Sequence, residues 1–304
     1  MNTKDLTYFC TICQEKSITR AAKLLYLSPQ GLSKIMKNIE SELGVQLLIR
    51  TAKGITLTEA GECFYAGLPD ILKSYDILCN DAIHISQKYN REIDLISAYG
   101  ILRLITPDCL LDFREKHPDI TLQYREYPDK QVERLFLHDR EGNVAFSIGP
   151  FDETLYDITP IASFEIKLLV NKLHPLSARK SVSIADLKEQ PLYIESSEFS
   201  IYHMINDACR KHGFRPNIMF ESSGFSLCHK LVSQNKGISV TVDFISADLA
   251  RQDLVLIPFT DLEVRWEPCM LIRKSEETSD DILLFQRHIR KWLSSILHHQ
   301  EAMI

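Results

Sequence analysis

The first 58 residues contain three segments with the apolar spacing of an α-helix, followed by a hairpin pattern. This order restricts the fold of the amino-terminal part more than any other feature of the chain. Apolar residues at i, i+3, i+4 and i+7 predict a first helix over residues 4 to 16, with a buried stripe of Leu6, Phe9, Cys10 and Cys13. Ser17 is placed to cap a second helix that continues to Leu25. We therefore expect a small helical cluster at this end of the chain.

A third helix is predicted to begin at Ser28-Pro29, because a hydroxyl at the N-cap followed by proline at the first helical position is a strong start signal. Gly44 is placed to end this helix. Its buried stripe consists of Leu32, Ile35, Met36, Ile39 and Leu43. The roughly opposite face presents Gln30, Ser33, Lys34 and Lys37.

This polar face has two interpretations. Every amphipathic helix has a polar outer face, so the four residues could simply be solvated. Alternatively, Gln can pair with adenine, Ser with either kind of base, and Lys with guanine or a phosphate, which is what a helix in a DNA major groove requires. The preceding helix and the tight turn favour the second interpretation, with Ser28 and Pro29 at the leading end of the contact surface.

Residues 47–50 and 55–57 predict two strands of a small hairpin, joined by a turn over residues 51–54. Arg50 and Lys53 lie near its tip. Cations at a hairpin tip are solvated in most proteins, but beside a groove-reading helix they are well placed for phosphates. We predict phosphate contacts for both.

The charge distribution fits this prediction. The whole chain has a formal net charge of -6, with 35 Lys and Arg against 41 Asp and Glu. The first 58 residues nevertheless hold 8 basic and 4 acidic side chains, which leaves 27 and 37 for the remainder. A basic head on an acidic body indicates a head that meets an anionic polymer.

These residues resemble the winged helix-turn-helix of LysR-type transcriptional regulators. The run from Ser17 to Leu25 is similar to the family's opening motif, with Ile18 in place of the usual aromatic residue. The segment from Ser28 to Lys34 and the run Leu57-Thr58-Glu59-Ala60-Gly61 follow in the family's order and spacing, although Pro29-Gln30 stands where Gln-Pro is commoner. The resemblance implies a regulator that binds a double-stranded DNA operator, with RNA polymerase as a further candidate partner.

Residues 59–90 predict a linker helix with a heptad seam of apolar residues. The seam consists of Phe64, Leu68, Ile71, Tyr75, Leu78, Ala82 and Ile85. Such a seam needs a partner helix or the surface of its own domain, and the resemblance favours an antiparallel homodimer, which in this family assembles further into a homotetramer. Pro69 is expected to kink or break the helix.

From residue 91 strand patterns alternate with helical ones, which predicts an α/β body with mostly parallel sheets. This part resembles the family's effector-binding domain, a two-lobed fold like that of periplasmic binding proteins. The resemblance implies a first lobe over 91–160 and 266–304 and a second lobe over 161–265, with a small-molecule effector between them. The predicted fold class is α/β overall, with a winged helix-turn-helix over 1–58 and a linker over 59–90.

Ligands of such sheets bind at the carboxyl ends of strands, where hydroxyl-bearing residues recur in this chain. The candidate effector-binding residues are Ser97, Tyr99, Gly100, Ser147, Ser196, Ser197, Phe199, Ser223 and Thr241. They would suit a carboxylate or a polar metabolite, although Ser and Thr at strand ends are also ordinary helix caps. Glu195, Glu198 and Glu221 near the expected cleft would either reject anions or bind a cationic group.

Other classes of function lack their motifs. The sequence contains no Gly-x-Ser-x-Gly, Walker-type phosphate loop or His-Glu-x-x-His, so we expect no enzymatic activity, no cofactor and no catalytic or metal site. The eight cysteines are scattered, which favours reduced thiols. No segment predicts a membrane span or a signal peptide, so we expect a cytoplasmic protein. A regulator controlled by a protein partner instead of a small molecule remains the alternative.

Overall fold

Side chains cap the three amino-terminal helices, two of them at the serines that the sequence predicts. In a computed structural model, which describes residues 1–51, 54–89, 91–242, 253–274 and 278–301, the chain divides into two compact units, Met1–Ala82 and Ile83–Ile304. Within these ranges the side chains of residues 50, 84, 87–89 and 296–301 are not described. The Asn2 side chain accepts a hydrogen bond from the Asp5 N–H and starts the first helix, and Ser17 and Ser28 cap the next two.

The first unit contains three helices, a two-stranded hairpin and most of a long fourth helix. Their bounds are α1 Thr3–Glu15, α2 Ile18–Leu24, α3 Pro29–Leu43, β1 Leu48–Thr51, β2 Gly54–Leu57 and α4 Glu59–Tyr89. The strands pair antiparallel, with Leu48 opposite Leu57. This order is that of a winged helix-turn-helix. Gly44 ends α3 in the left-handed conformation, with φ of 71°.

The core of the first unit uses the predicted stripes. Its fully or nearly fully buried residues are Leu6, Phe9, Ile12, Ala21, Ala22, Leu32, Met36, Ile39, Leu47 and Leu68. Cys10 and Cys13 pack against this core as half-buried thiols, and burial raises the pKa of Cys13 to about 12. Leu43 departs from the expected pattern, because it lies at the end of α3 and is 37% exposed.

The hairpin is joined to the helices by the carboxylate of Glu40 and by a close backbone approach at Gly61. Glu40 Oε1 accepts hydrogen bonds from the N–H groups of Leu47 and Leu48, at 2.8 and 3.1 Å. A side chain at Gly61 would bring its Cβ within 2.1 Å of the Leu47 carbonyl oxygen. Gly61 in the first turn of α4 therefore permits a contact that no other residue would allow.

The long helix α4 continues through Pro69, so the expected break is wrong, and a kink at this residue stays a prediction. A proline within a helix removes one backbone hydrogen bond, a loss that a 31-residue helix tolerates. The first part of the heptad seam, Phe64 and Leu68, packs on the core of the first unit. The later seam residues Ile71, Tyr75, Leu78 and Ile85 are 46% to 67% exposed.

The second unit alternates strands and helices. Its strands are β3 Glu92–Ala98, β4 Thr121–Tyr127, β5 Val144–Ile148, β6 Tyr156–Pro160, β7 Phe164–Asn171, β8 Pro191–Glu195, β9 Asn217–Ser222, β10 Ser239–Val242, β11 Leu254–Pro258, β12 Arg265–Trp266 and β13 Pro268–Arg273. Its α-helices are α5 Ile101–Ile105, α6 Pro107–Lys116, α7 Asp129–Glu133, α8 Ser200–Lys211, α9 Phe225–Ser233 and α10 Asp280–Glu301. A π-helical turn, Arg134–His138, extends α7.

These strands form two lobes. In the first lobe a five-stranded sheet with the order β4-β3-β5-β13-β6 packs against α5, α6, α7 and α10. The second lobe contains a sheet in which β7 pairs with β10, β11 and β12, a smaller sheet of β8 and β9, and the helices α8 and α9. Trp266 of β12 pairs with Phe164 of β7 and so extends the second lobe's sheet.

The sheets are mixed, and the expectation of mostly parallel sheets is wrong. Of the eight strand pairs described in the second unit, five are antiparallel. Three of these pairs join β7 to β10, β11 and β12, and two involve β13, on which the chain returns from the second lobe and enters between β5 and β6 from the opposite direction. Residue patterns give strand positions but not strand direction.

Candidate functional site

The polar face of α3 is exposed as predicted from its spacing. Gln30, Lys34 and Lys37 are exposed and Ser33 is half-buried. Together with Pro29 they border a shallow groove whose other wall is Ile18 and Thr19 at the start of α2. The two helices thus present one continuous surface with two lysines on it.

Other predicted residues of this surface have different placements. The Ser28 hydroxyl accepts a hydrogen bond from the Gly31 N–H at 3.0 Å, so it caps α3. Arg50 lies on β1, but its side chain is outside what the structure describes, and Lys53 lies outside the described residues. Between α2 and α3, Tyr26 takes the left-handed conformation with φ of 55° and is 96% exposed. This exposed aromatic side chain was not predicted.

The second candidate site is a cavity between the two lobes of the second unit. Its lining residues are Tyr99, Gly100, Asp129, Ile148, Glu195, Phe199, Ile201, Phe225, Thr241, Val242 and Trp266. Tyr99, Gly100, Phe199 and Thr241 were predicted as effector-binding residues, and the structure brings these four together. The Tyr99 and Phe199 rings, one from each lobe, stack with their centroids 6.4 Å apart.

The other five predicted effector-binding residues do not line this cavity. Three of them use a polar atom in a hydrogen bond within the fold, one is exposed, and one is buried in a sheet. The Ser97 hydroxyl donates to the Ala98 carbonyl oxygen, and the Ser196 N–H donates to the Ser222 carbonyl oxygen. The Ser197 carbonyl oxygen accepts from His203, and Ser223 is exposed. Ser147 is fully buried within the first lobe's sheet, and its hydroxyl has no hydrogen-bond partner among the described residues.

Two acidic residues line the cavity from opposite lobes. Asp129 at the start of α7 is 4% exposed, and both of its carboxylate oxygens accept from the Ser200 N–H at 2.9 Å. Burial raises the pKa of Asp129, partly offset by these hydrogen bonds. Burial, and after it the charge of Asp129, raises the pKa of Glu195 to about 8. Asp129 was not among the predicted site residues, because its partner Ser200 is distant in sequence.

Further contacts join the lobes beside this cavity. The Lys130 N–H donates to the Glu198 carbonyl oxygen at 3.1 Å, and Arg134 forms an ion pair with the Glu198 carboxylate at 2.6 Å. Together with the contact between Asp129 and Ser200, these bonds define an interlobe latch. Its members lie on α7, its π-helical extension, the turn before α8 and the first residue of α8.

Comparison with known protein families shows the family to which the chain belongs. Residues 3–62 match the model described as "Bacterial regulatory helix-turn-helix protein, lysR family", and residues 87–294 match the model of the LysR substrate binding domain. The chain belongs to the LysR family of transcriptional regulators. A LysR-type regulator combines a helix-turn-helix that binds operator DNA with an effector-binding domain, and regulators of the family oligomerise.

Individual LysR relatives match along most of their length. YwbI of Bacillus subtilis, an uncharacterized HTH-type transcriptional regulator, is 28% identical over 296 residues, which cover 96% of this chain and 97% of that protein. AlsR of the same organism is 28% identical over 247 residues, which cover 79% of this chain and 80% of AlsR. Both are named as transcriptional regulators, as the family assignment requires.

Solved LysR structures share the fold. A mutant of OxyR from Corynebacterium glutamicum superposes with a TM-score of 0.58 at 20% identity, covering 99% of this chain and 94% of that chain. Full-length BenM gives a TM-score of 0.55 at 23% identity, covering 99% and 98%. Among the described residues, no helix is long and apolar enough to cross a bilayer.

Proposed function

We propose that this LysR-type regulator binds one half-site of its operator with each copy of residues 1–58, placing α3 in the major groove. The exposed face with Gln30, Lys34 and Lys37 is the observation that supports this proposal. Gln30 and Ser33 are positioned for base edges, and the lysines for bases or phosphates. Pro29 and the Ser28 cap fix the start of the helix, and Arg50 and Lys53 on the hairpin would contact flanking phosphates.

Residues 59–90 are proposed as the dimerisation segment. Ile71, Tyr75 and Leu78 form an apolar row on α4 that is largely exposed in the single chain. Burying this row against a second copy of α4 would remove apolar surface from water and set the spacing of two heads. Assembly of two such dimers into a tetramer and contact with RNA polymerase are further parts of the proposal, by analogy with the family.

Residues 91–304 are proposed to bind a small-molecule effector in the interlobe cavity, with the first lobe at 91–160 and 266–304 and the second at 161–265. Apolar walls with a few convergent polar groups are typical of ligand sites. In this role the α/β body is a sensor without catalytic activity. The regulator would act in the cytoplasm, where it meets the operator. An effector alters DNA binding only if it has unequal affinity for two arrangements of the lobes.

The test of DNA binding is a gel shift of the full-length protein on the DNA just upstream of its own gene. Gln30→Ala and Lys34→Ala should lose discrimination between specific and random DNA, whereas Lys4→Ala, an exposed lysine on α1, should bind as the wild type does. Removal of residues 1–58 should abolish operator binding and preserve ligand binding. Retained operator binding by the truncated chain would refute the proposal.

The test of effector control is a thermal shift across a metabolite panel, since a ligand of the native state raises its apparent stability. A compound that stabilises the protein and changes the gel shift supports a small-molecule effector. If no compound in the panel does so while a protein from the same cells changes operator binding, control by a protein partner replaces it.

A further inference from the structure

The walls of the interlobe cavity are mainly aromatic. Tyr99, Phe199, Phe225 and Trp266 all line it, and they come from four different segments of the chain. The face of an aromatic ring carries negative electrostatic potential, so it attracts a cation as well as apolar groups. A cavity with this lining accommodates a ligand that has an apolar part and a positive charge.

The charged groups in the same lining are both acidic. Asp129 and Glu195 face the cavity from opposite lobes, and no basic side chain lines it among the described residues. Two cations lie near the lining without being part of it: Arg103, whose guanidinium carbon is 5.1 Å from the centroid of the Phe225 ring, and the half-buried Lys167, which pairs with Thr241 across β7 and β10. The charge of Asp129 would repel a ligand carboxylate or phosphate, whereas a bound cation would favour the ionised form of Glu195.

An obvious attachment point for an anion is already occupied. The N-terminus of α8 lies at the cavity, since Phe199 and Ile201 both line it, and such a helix end attracts anions. Here the Asp129 carboxylate of the same chain accepts from Ser200 at that end. A ligand anion would have to displace a buried, doubly hydrogen-bonded carboxylate.

A buried hydroxyl in the lining lacks a partner. Thr241 is 2% exposed, and its Oγ1 makes no hydrogen bond with any described residue. A buried polar atom without a partner costs free energy, so such atoms mark places where a ligand or an ordered water completes the bonding. Thr241 lies on β10 among the cavity residues, where its oxygen can accept a hydrogen bond from a ligand N–H.

We propose that the effector of this protein is a small organic cation with an apolar portion, such as a primary amine. Its positive charge lies against Glu195 and Asp129, its apolar part packs among the aromatic rings, and an N–H donates to Thr241. This inference rests on the proposed function, namely that the interlobe cavity is the effector site.

The test compares probes of matched shape and different charge. Full-length protein is titrated calorimetrically with 3,3-dimethylbutylamine, choline, the neutral 3,3-dimethylbutan-1-ol and the anion 3,3-dimethylbutanoate, followed by larger aromatic amines with their alcohol and carboxylate counterparts. The cations should bind more tightly than their neutral and anionic counterparts. The proposal is overturned if an anion binds as tightly as its matched cation, or if no cation in the series binds at millimolar concentration.

Variants locate the charge and the hydrogen bond. Glu195→Gln should weaken binding of the best cation about tenfold. The control Glu221→Gln changes an exposed carboxylate on the adjacent strand outside the lining and should leave affinity unchanged. Thr241→Val keeps the side-chain shape, so it should weaken binding of the primary amine but not of tetramethylammonium, which has neither an N–H nor an O–H to donate. Equal effects of Glu195→Gln and Glu221→Gln would contradict the assigned site.

The same samples are used for gel shifts on the upstream DNA. Specific DNA binding together with anion preference would refute the cationic effector and leave the regulator function intact. If the folded wild-type protein shows no specific DNA binding, this result instead counts against the proposed function itself. The two failures are therefore distinguishable.

Discussion

Both carboxylate oxygens of Asp129 lie 2.9 Å from the backbone nitrogen of Ser200, and this contact joins the two lobes of the effector-binding domain. The first oxygen also accepts from the Lys130 N–H at 2.9 Å. One buried carboxylate therefore caps the start of α8 in one lobe and the start of α7 in the other. Its removal should affect both.

We expect Asp129→Ala to lower the free energy of unfolding of the second unit. Two N–H groups in a buried region lose their acceptor, a cost of about 1–3 kcal/mol. Denaturant unfolding followed by fluorescence measures this change. Asp207→Ala provides the control, because Asp207 lies on α8 in an ion pair with Arg210 whose side chains are 64% and 66% exposed. Equal stability of the two variants would show that the Asp129 contact does not stabilise the second unit.

Glu195 should make the protein less stable as the pH rises. Its pKa is raised from 4.5 to about 8, so over this interval the folded protein holds a proton that the unfolded chain releases. The free energy of unfolding therefore contains a contribution that is fully present below 4.5 and lost as the pH approaches 8. The charged group that acts on this titration is Asp129 on α7, whose pKa is also raised, and Glu195 in turn raises the pKa of the buried Cys228 on α9.

Unfolding measured across that pH interval should show a shallower decrease for Glu195→Gln than for the wild type. At neutral pH the variant should also melt higher, by about 2–4 °C for each kcal/mol gained. Glu221→Gln again serves as the control. A variant with the full wild-type slope would mean that Glu195 is not the titrating group.

Leu78→Lys should convert the oligomer to a smaller species. Leu78 is 67% exposed on α4 and lies in the proposed seam, so a charge there would have to be buried in the dimer. Sedimentation velocity reports the assembly state, with Lys73→Ala as the control at an exposed position outside the seam. Unchanged assembly of Leu78→Lys would place the interface elsewhere.

Glu40→Gln should destabilise the winged helix-turn-helix. The Leu47 and Leu48 N–H groups both donate to Glu40 Oε1, and a neutral acceptor is weaker than a carboxylate. We expect a loss of about 1–2 kcal/mol, measured by thermal unfolding of the full chain. Glu42→Gln on the same helix removes only a surface ion pair with the terminal amine and should be nearly neutral.

Lys37→Ala should change how operator affinity depends on salt. If Lys37 neutralises one phosphate, the slope of the logarithm of the binding constant against the logarithm of salt concentration should decrease by about 1. Fluorescence anisotropy at several salt concentrations gives this slope. Lys4→Ala should keep the wild-type slope, and an unchanged slope for Lys37→Ala would remove Lys37 from the phosphate contacts.

The helical head is predictable because its signals are local. The Ser28 cap, the proline after it and the left-handed Gly44 all act within one helix, so their spacing in the sequence is their spacing in space. The exposed face of α3 follows from the same periodicity. The exposure of this face is observed, and its contact with DNA stays a prediction.

The cavity was only partly predictable because its contacts are long-range. Tyr99 and Thr241 follow from the rule that ligands bind at strand ends, but the same rule selected Ser196 and Ser197, whose backbone atoms hold turns. Asp129 follows Pro128 at an ordinary helix start, and nothing in the sequence relates it to residue 200. A side chain that acts across two lobes requires the fold to be known.

The interlobe latch has a consequence for the response of single molecules. Asp129 and Ser200 belong to different lobes, so moving the lobes apart beyond hydrogen-bond distance breaks both of their bonds together. Each copy of the protein should then switch abruptly between two discrete forms. A graded change in transcription would then arise from the fraction of molecules that have switched, and not from a partly opened form of each molecule.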